Sequence, residues 1–273
     1  MINISDKFSL LMAVYKKDDS VAFREALDSV YSNTIQPKKL ILVADGSLTP
    51  ELDKVVNDFK NRPNFCFKQL EKNVGLANAL NFGLKFVDTN YVIRADSDDV
   101  NLPNRFEVIL NLLEMGYDLV GSSILEIEKD GTPVAVRKTP CNHTDIVKFA
   151  RKRNPFNHMS VGYRFAKVIE CGGYPDIYLK EDYGLWALML KQGAKTMNTD
   201  QVLVHAKAGI QMFQRRGGIK YALAEFKLQR HLVSCELKNP VLGLIDAISR
   251  GFVFIAPGFF RAWVYRNFLR KHV

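Results

Sequence analysis

Four short apolar runs, each followed by a segment with helical spacing, constrain this chain more than any other feature. "FSLLMAVY" (8–15), "KKLILVA" (38–44), "NFCFKQL" (64–70) and "NYVIRA" (90–95) are β-prone and bounded by polar residues. Between the first two, "DDSVAFREALDSVYSN" places Val21, Ala22, Leu27, Val30 and Tyr31 at helical intervals behind an acidic start. "LTPELDKVVNDF" offers Thr49 as an N-cap and Pro50 at the first helical position. "GLANALNFGLKFV" is the third helical segment. Strands that are apolar throughout, not alternating, need cover on both faces. The pattern predicts an α/β layer with a mostly parallel sheet.

After Pro103 the alternation loosens. "RFEVILNLLEMG" predicts a helix, and "YDLVGSSILEIEKDGTPVAVRK" predicts a hairpin about Asp130-Gly131. "EDYGLWALMLKQG" predicts a helix stopped by Gly193, and "AKTMNTDQVLVHAKAG" returns to strand character. With 273 residues the chain is one large domain or two halves on a shared core. Open α/β sheets bind ligands beyond the C-terminal ends of their strands. Asp45-Gly46 and Asp96-Ser97-Asp98-Asp99 end the second and fourth strands and are placed to face such a crevice.

A net charge of +9 calls for an anionic partner: nucleic acid, anionic lipid or a phosphorylated substrate. Nucleic acid has only this charge in its favour, since no helix-turn-helix, zinc pattern or stacking platform is visible, and no nucleic-acid partner is expected. Cys66, Cys141, Cys171 and Cys235 are scattered without C-x-x-C pairing, which fits thiols of a reducing compartment, and no secretory signal is visible. The cytosolic side is expected. "GFVFIAPGFFRAWVYRNFLRKHV" has ten apolar residues, Gly251–Phe260, before Arg261, too few to span a bilayer. Its aromatics mixed with arginines fit a helix lying in a membrane interface, or one packed on the domain with its arginines solvated.

Three aspartates within Asp96–Asp99 repel one another and need a partner. An EF-hand fits Asp96, Asp98 and Glu107 at loop positions 1, 3 and 12, but Asn101 stands where that loop needs Gly and a strand precedes it. A solvated turn is the bland reading, with Asp99 or Asn101 capping the helix that begins near Pro103. The third reading is a divalent cation held by one or two carboxylates and completed by substrate phosphates.

"LMAVY", "LILVADGSLTPEL", "NVGLANALNFGL", "IRADSDDVNLPNRF", "NPFNHMSVGYR", "CGGYPD", "KEDYGLWALML" and "QRRGG" occur in the order seen in family 2 glycosyltransferases. The chain resembles that inverting, GT-A-fold family over roughly residues 8 to 230. It is especially similar to the branch that builds bacterial O-antigen and exopolysaccharide units, β-1,3-galactosyl- and glucosyltransferases with a D-x-D-D motif among them. Ala44 is a departure, since many relatives carry two aspartates before Gly-Ser.

The resemblance implies a catalytic domain over 1–215, with a nucleotide half (1–100) and an acceptor half (101–215), and a helical, basic and aromatic extension over 216–273. It implies UDP-galactose or UDP-glucose as donor, a polyprenyl-diphosphate-linked amino sugar as acceptor, and Mn²⁺ or Mg²⁺ as cofactor. The enzyme would work at the membrane surface, peripheral to the inner face of the plasma membrane. Ala13, Val14, Tyr15 and Asp45 would hold the uridine, with Asn73, Arg94, Asp96 and Ser97 also on the nucleotide sugar. Asp98 would bind the metal with Asp96 and His205, and Asp99 would support them. Arg215 and Arg216, before two glycines, would close over the diphosphate. Asp182 would be the catalytic base and Glu181 its partner, with His158, Gly172 and Gly173 on the acceptor side.

Bland readings stand beside these. Glu181 and Asp182 suit the first turn of any helix. His205 and His158 fit structural histidines, Arg215-Arg216 a solvated turn, and Trp186 the core. A sugar-phosphate nucleotidyltransferase shares the layout, but it needs a Gly-rich basic loop after the first strand, and "AVYKKDDS" has no Gly.

Overall fold

The computed structural model of the protein describes residues 7–207 and 217–255. The first half alternates as the apolar runs require: β1 (Phe8–Val14), α1 (Ser20–Tyr31), β2 (Lys39–Ala44), α2 (Pro50–Phe59), β3 (Phe65–Gln69), α3 (Leu76–Leu84) and β4 (Tyr91–Arg94). Then come β5 (Val100–Asn101), α4 (Arg105–Glu114), β6 (Leu119–Ile127), β7 (Pro133–Arg137), α5 (His143–Ala150), β8 (Gly162–Arg164), α6 (Phe165–Glu170), α7 (Glu181–Lys191) and β9 (Thr196–Lys207). Two further helices, α8 (Ile219–Ser234) and α9 (Pro240–Ile255), form an antiparallel pair.

One mixed sheet runs in the order β3-β2-β1-β4-β8-β6-β9-β5, with β7 on β6. β1 to β4 are mutually parallel, and β8 joins them antiparallel to both β4 and β6. Successive side chains of a strand point to opposite faces, and the two faces carry separate cores. Leu10, Met12, Leu40 and Leu42 pack with Phe23, Leu27, Leu52 and Phe106 of α1, α2 and α4. Leu11, Ala13, Ile41 and Val43 pack with Leu80, Leu84, Leu185 and Trp186 of α3 and α7. Trp186 is fully buried, as expected.

The α2 cap falls where the sequence places it, and α1 has a cap of its own. Asp19 accepts from the backbone N–H of Val21 and Ala22, both at 3.0 Å, and Thr49 caps α2 with Pro50 at its start. The capping role considered for Asp99 or Asn101 does not hold. α4 starts at Arg105 behind Asn104 with no side-chain cap, and the Asn101 amide instead donates to Ser29 Oγ at 2.8 Å. Three residues make up β8, too few to show a period, which is why the sequence did not mark it.

α3 lies close on the sheet because Gly83 has no side chain: a Cβ there would meet Leu11 Cδ1 at 2.5 Å and Val43 Cγ2 at 2.9 Å. Gly83→Val forces those strand side chains aside and lowers stability by about 1–3 kcal/mol. A urea midpoint unchanged from the parent protein would refute this close-approach role.

Candidate active site

The parallel order β2-β1-β4 brings the C-terminal ends of these strands side by side, with a topological switch between β1 and β4. β1 delivers Tyr15, β2 delivers Asp45, and β4 runs from Arg94 into the acidic turn. Ala13 and Val14 have buried side chains, and the Val14 carbonyl accepts from Asp45 N–H at 2.8 Å, so both reach the crevice only through the backbone. Asp45 accepts from Asn73 Nδ2 at 2.8 Å and from the backbone N–H of Val74 and Gly75 at 2.7 and 3.0 Å. These three hydrogen bonds fix the loop that opens α3 to the end of β2.

Beneath the acidic turn lie two buried guanidinium groups. Arg94 donates to Leu11 O at 3.2 Å and to Asp96 Oδ1 at 2.6 Å. Arg105 donates to Asn101 Oδ1 and to the Arg94 carbonyl. Burial pulls its pKa down to about 9, against the opposing pull of Asp96 and Asp99, and it stays charged at neutral pH. Above them, carboxylate oxygens of Asp96, Asp98 and Asp99 lie within 4.8 Å of one another. Asp98 reaches furthest into solvent, yet crowding by the protein, then the charges of Asp96 and Asp18, push its carboxyl up to about 6. Asp99 is buried. Lost hydration, then Asp98 and Asp96, hold its carboxyl well above the usual carboxylate range, although Lys207 N–H donates to it at 3.0 Å. Hard oxygen donors under mutual repulsion are a donor set that fits Mg²⁺ or Mn²⁺.

Across the crevice, Glu181 and Asp182 open α7. Asp182 accepts from Asn154 Nδ2 at 2.5 Å and from Tyr183 N–H at 2.7 Å. Glu181 is buried, and desolvation followed by the charge of Asp182 pushes its carboxyl up to about 8. The fields of Arg94 and Asp96 also reach Glu181, and those of Arg94, Asp182 and Asp96 reach His158. The acidic turn and the acidic pair therefore lie near one another, with His158 within reach of both. His158 sits half-buried between them, its ring 3.4 Å from Tyr174 Oη. Desolvation, then Arg94, push its pKa down to about 4, which leaves the imidazole neutral at pH 7.

Other residues singled out in the sequence have plain positions. Ser97 Oγ donates to Asp18 Oδ2 at 2.8 Å. His205 lies on β9 opposite Val100, one residue beyond Asp99, and is not among the three clustered side chains. Gly172 and Gly173 both have φ near +80°, turning the chain after α6. A Cβ on Gly173 would meet Asn81 Oδ1 at 2.4 Å, where the Asn81 amide clips both backbone groups of Tyr174. Arg215 and Arg216 lie outside the described residues, as do 256–273 of the C-terminal segment.

The sequence did not mark Asp18, Arg105 or Asn154 as site residues. Asp18 ties Ser97 to Tyr15 N–H, which it accepts at 3.0 Å. Nor did it mark Glu225 of α8, nearly fully buried and 2.8 Å from Lys180, the residue before Glu181. Arg250 of α9 pairs with Glu225 at 3.4 Å and donates to Lys152 O at 2.7 Å, two residues before Asn154. An acidic residue on a helix mixed with lysines reads as solvated until its partners are seen.

Known proteins share this design. The family model described as "Glycosyl transferase family 2" matches residues 9–173. An Escherichia coli protein named UDP-Gal:alpha-D-GlcNAc-diphosphoundecaprenol beta-1,3-galactosyltransferase is 39% identical over 99% of both chains. The amylovoran biosynthesis glycosyltransferase AmsE of Erwinia amylovora is 32% identical over 92% of this chain and 94% of its own. Among solved structures, S. aureus TarS 1-349 in complex with UDP-GlcNAc superposes with a TM-score of 0.69 at 17% identity, over 97% of this chain and 76% of that one, which supports the GT-A fold alone. With its strand-end aspartates, its acidic pair on α7 and relatives matched along nearly their whole length, the chain belongs to glycosyl transferase family 2.

Proposed function

We propose that the protein is an inverting hexosyltransferase. It moves galactose or glucose from a UDP-sugar to GlcNAc or GalNAc carried on a polyprenyl diphosphate, forming a β-1,3 linkage in an O-antigen or exopolysaccharide repeat unit. One observation carries the reading: a carboxylate cluster fit for a metal diphosphate lies at the strand ends, near enough to a separate acidic pair for their charges to act on one another. The E. coli relative supplies the substrate classes by its name.

In this reading Asp182 takes the proton from the acceptor hydroxyl, whose oxygen attacks C1 of the donor sugar from the face opposite the nucleotide. The new O–C1 bond forms as the C1–O bond to the β-phosphate breaks, and the configuration inverts. Glu181 is a poor base at neutral pH, because a carboxyl titrating near 8 already holds its proton; its role in this reading is to orient the acceptor. The Asn154 amide and Tyr183 N–H keep Asp182 oriented while each of its oxygens retains acceptor capacity. Neutral His158 offers a hydrogen bond to the acceptor sugar. Asp96, Asp98 and Asp99 would hold Mn²⁺ or Mg²⁺, which supplies positive charge where the leaving diphosphate becomes negative. Asp45 and the β1 end receive the uridine, and the site works at the inner face of the membrane, where the acceptor lipid resides.

Asp98→Asn and Asp182→Asn should each lower kcat by at least about 100-fold with melting behaviour preserved. Full turnover in either variant, assayed with UDP-galactose or UDP-glucose and a lipid-diphosphate GlcNAc acceptor, would overturn that residue's role. Chelation by EDTA should abolish transfer, and Mn²⁺ should restore it; turnover indifferent to chelator would remove the metal from the scheme. Glu181 also makes stability depend on pH. Its folded pKa is raised, so its contribution is complete below about 4.5 and is lost as pH rises through about 8. Glu181→Gln removes this titration, so the variant's melting temperature should gain on the parent's between about pH 5 and 9. A pH-independent difference would mean that the carboxyl is ionised throughout.

A further inference from the structure

A surface helix ordinarily turns its apolar stripe inward and its charges outward. α9 does the reverse. Its buried seam is small, Gly243, Ala247 and Gly251, pressed so closely on α8 that a Cβ at Gly243 would meet Val233 at 2.6 Å. Its charged residues are engaged by the protein: Asp246 with Lys238, and Arg250 with Glu225 and the Lys152 carbonyl. Val241, Leu242, Leu244, Ile245, Ile248, Phe252 and Ile255 face solvent instead, each more than half exposed. At about 100° per residue all of these except Leu242 fall within about a third of the helix circumference. Ile219, Leu223 and Phe226 of α8 are exposed along the same hairpin, and Phe226 sits beside Gly251 of the seam. Contiguous apolar exposure on this scale marks an interaction site.

We infer that this face of the α8–α9 hairpin docks on the surface of an anionic lipid bilayer, resting as a monotopic element in its interface. Three observations select that occupant. Among the described residues, no helix is long and apolar enough to cross a membrane, and the exposed apolar face of α9 runs along one side of the helix, as in elements that lie in an interface. The sequence that follows interleaves Phe259, Phe260, Trp263, Tyr265 and Phe268 with Arg261, Arg266, Arg270 and Lys271, and no acidic residue occurs after Asp246. That composition is attracted to anionic headgroups and repelled by a second copy of the same basic chain. Finally, the hairpin is tied to the residue before the acidic pair, through Lys180–Glu225, and to the segment that carries Asn154, through Arg250–Lys152. A docked hairpin holds Asp182 at a set height above the leaflet from which a lipid-linked acceptor emerges. This last step rests on the proposed function; the surface itself does not.

The test is co-sedimentation of the full chain with vesicles of phosphatidylethanolamine and phosphatidylglycerol, against phosphatidylcholine alone. The parent protein should bind the anionic vesicles and be released by salt in part. Ile248→Glu/Phe252→Glu should lower partitioning at least about tenfold, whereas Val21→Glu on α1 should leave it unchanged. Transfer to a water-soluble acceptor analogue should stay within about twofold in the double variant, since both side chains are exposed. Equal binding of parent and double variant overturns the inference, as does failure of the parent to bind. So does a dimer that becomes monomeric in the variant with vesicle binding intact, which would make a second copy the occupant. If the vesicle result holds but no sugar is transferred, the proposed function falls and the docking surface stands. If Asp182→Asn abolishes transfer and the double variant still binds vesicles, only the docking surface falls.

Discussion

Two guanidinium groups buried under an acidic turn are the interaction on which this site depends. A charged group out of water costs several kcal/mol unless it is paired and hydrogen-bonded. Arg94 meets most of that demand with the Leu11 carbonyl and Asp96, and Arg105 with Asn101 and the Arg94 carbonyl, although the Nε of each is buried without a hydrogen-bond partner. The pairs knit β1, β4, β5 and α4 together at the point where the parallel strands end. Their positive charge lets Asp96, Asp98 and Asp99 crowd together without driving the turn open. The compensation is incomplete, because Asp98 and Asp99 still resist ionisation. On the proposed reading, that remaining strain is what an incoming cation relieves.

The second half of the chain is built to bring an independent carboxylate to the same place. β8 makes this happen, pairing antiparallel with both β4 and β6 so that one sheet continues through both halves. The segment just before β8 carries Asn154 and His158, and α7 carries Glu181 and Asp182 against the same core as Trp186. Burial then separates the pair chemically. Glu181, more deeply enclosed, is held protonated, while Asp182 is furnished with two N–H donors. On the proposed reading, two adjacent acids in one helical turn take different jobs from their surroundings, not from their identity.

Much of the architecture was legible because it follows from local rules. Apolar runs with both faces covered read as parallel strands, Thr49 read as a cap, and Asp130-Gly131 read as a hairpin turn, since each depends on neighbours within a few positions. The acidic turn was legible as a candidate metal site for the same reason, because like charges at successive positions demand an explanation. Arg105, Asp18, Asn154 and Glu225 were not. Their meaning comes from partners far away in the chain: Arg105 lies against the carbonyl of Arg94, Asn154 against Asp182, and Glu225 against Lys180 and Arg250.

By itself the sequence determined the α/β layering, the strand ends that carry Asp45 and the Asp96–Asp99 turn, and the helix that begins with Glu181 and Asp182. It also determined the family, through motifs in a characteristic order. Tertiary structure alone decided which carboxyl keeps its proton, which arginines lie beneath the aspartates, and which side of α9 meets the solvent. The division has a physical cause. Periodicity and capping are set by backbone geometry over a few residues, whereas desolvation and Coulomb fields depend on every atom nearby, whatever its place in the chain.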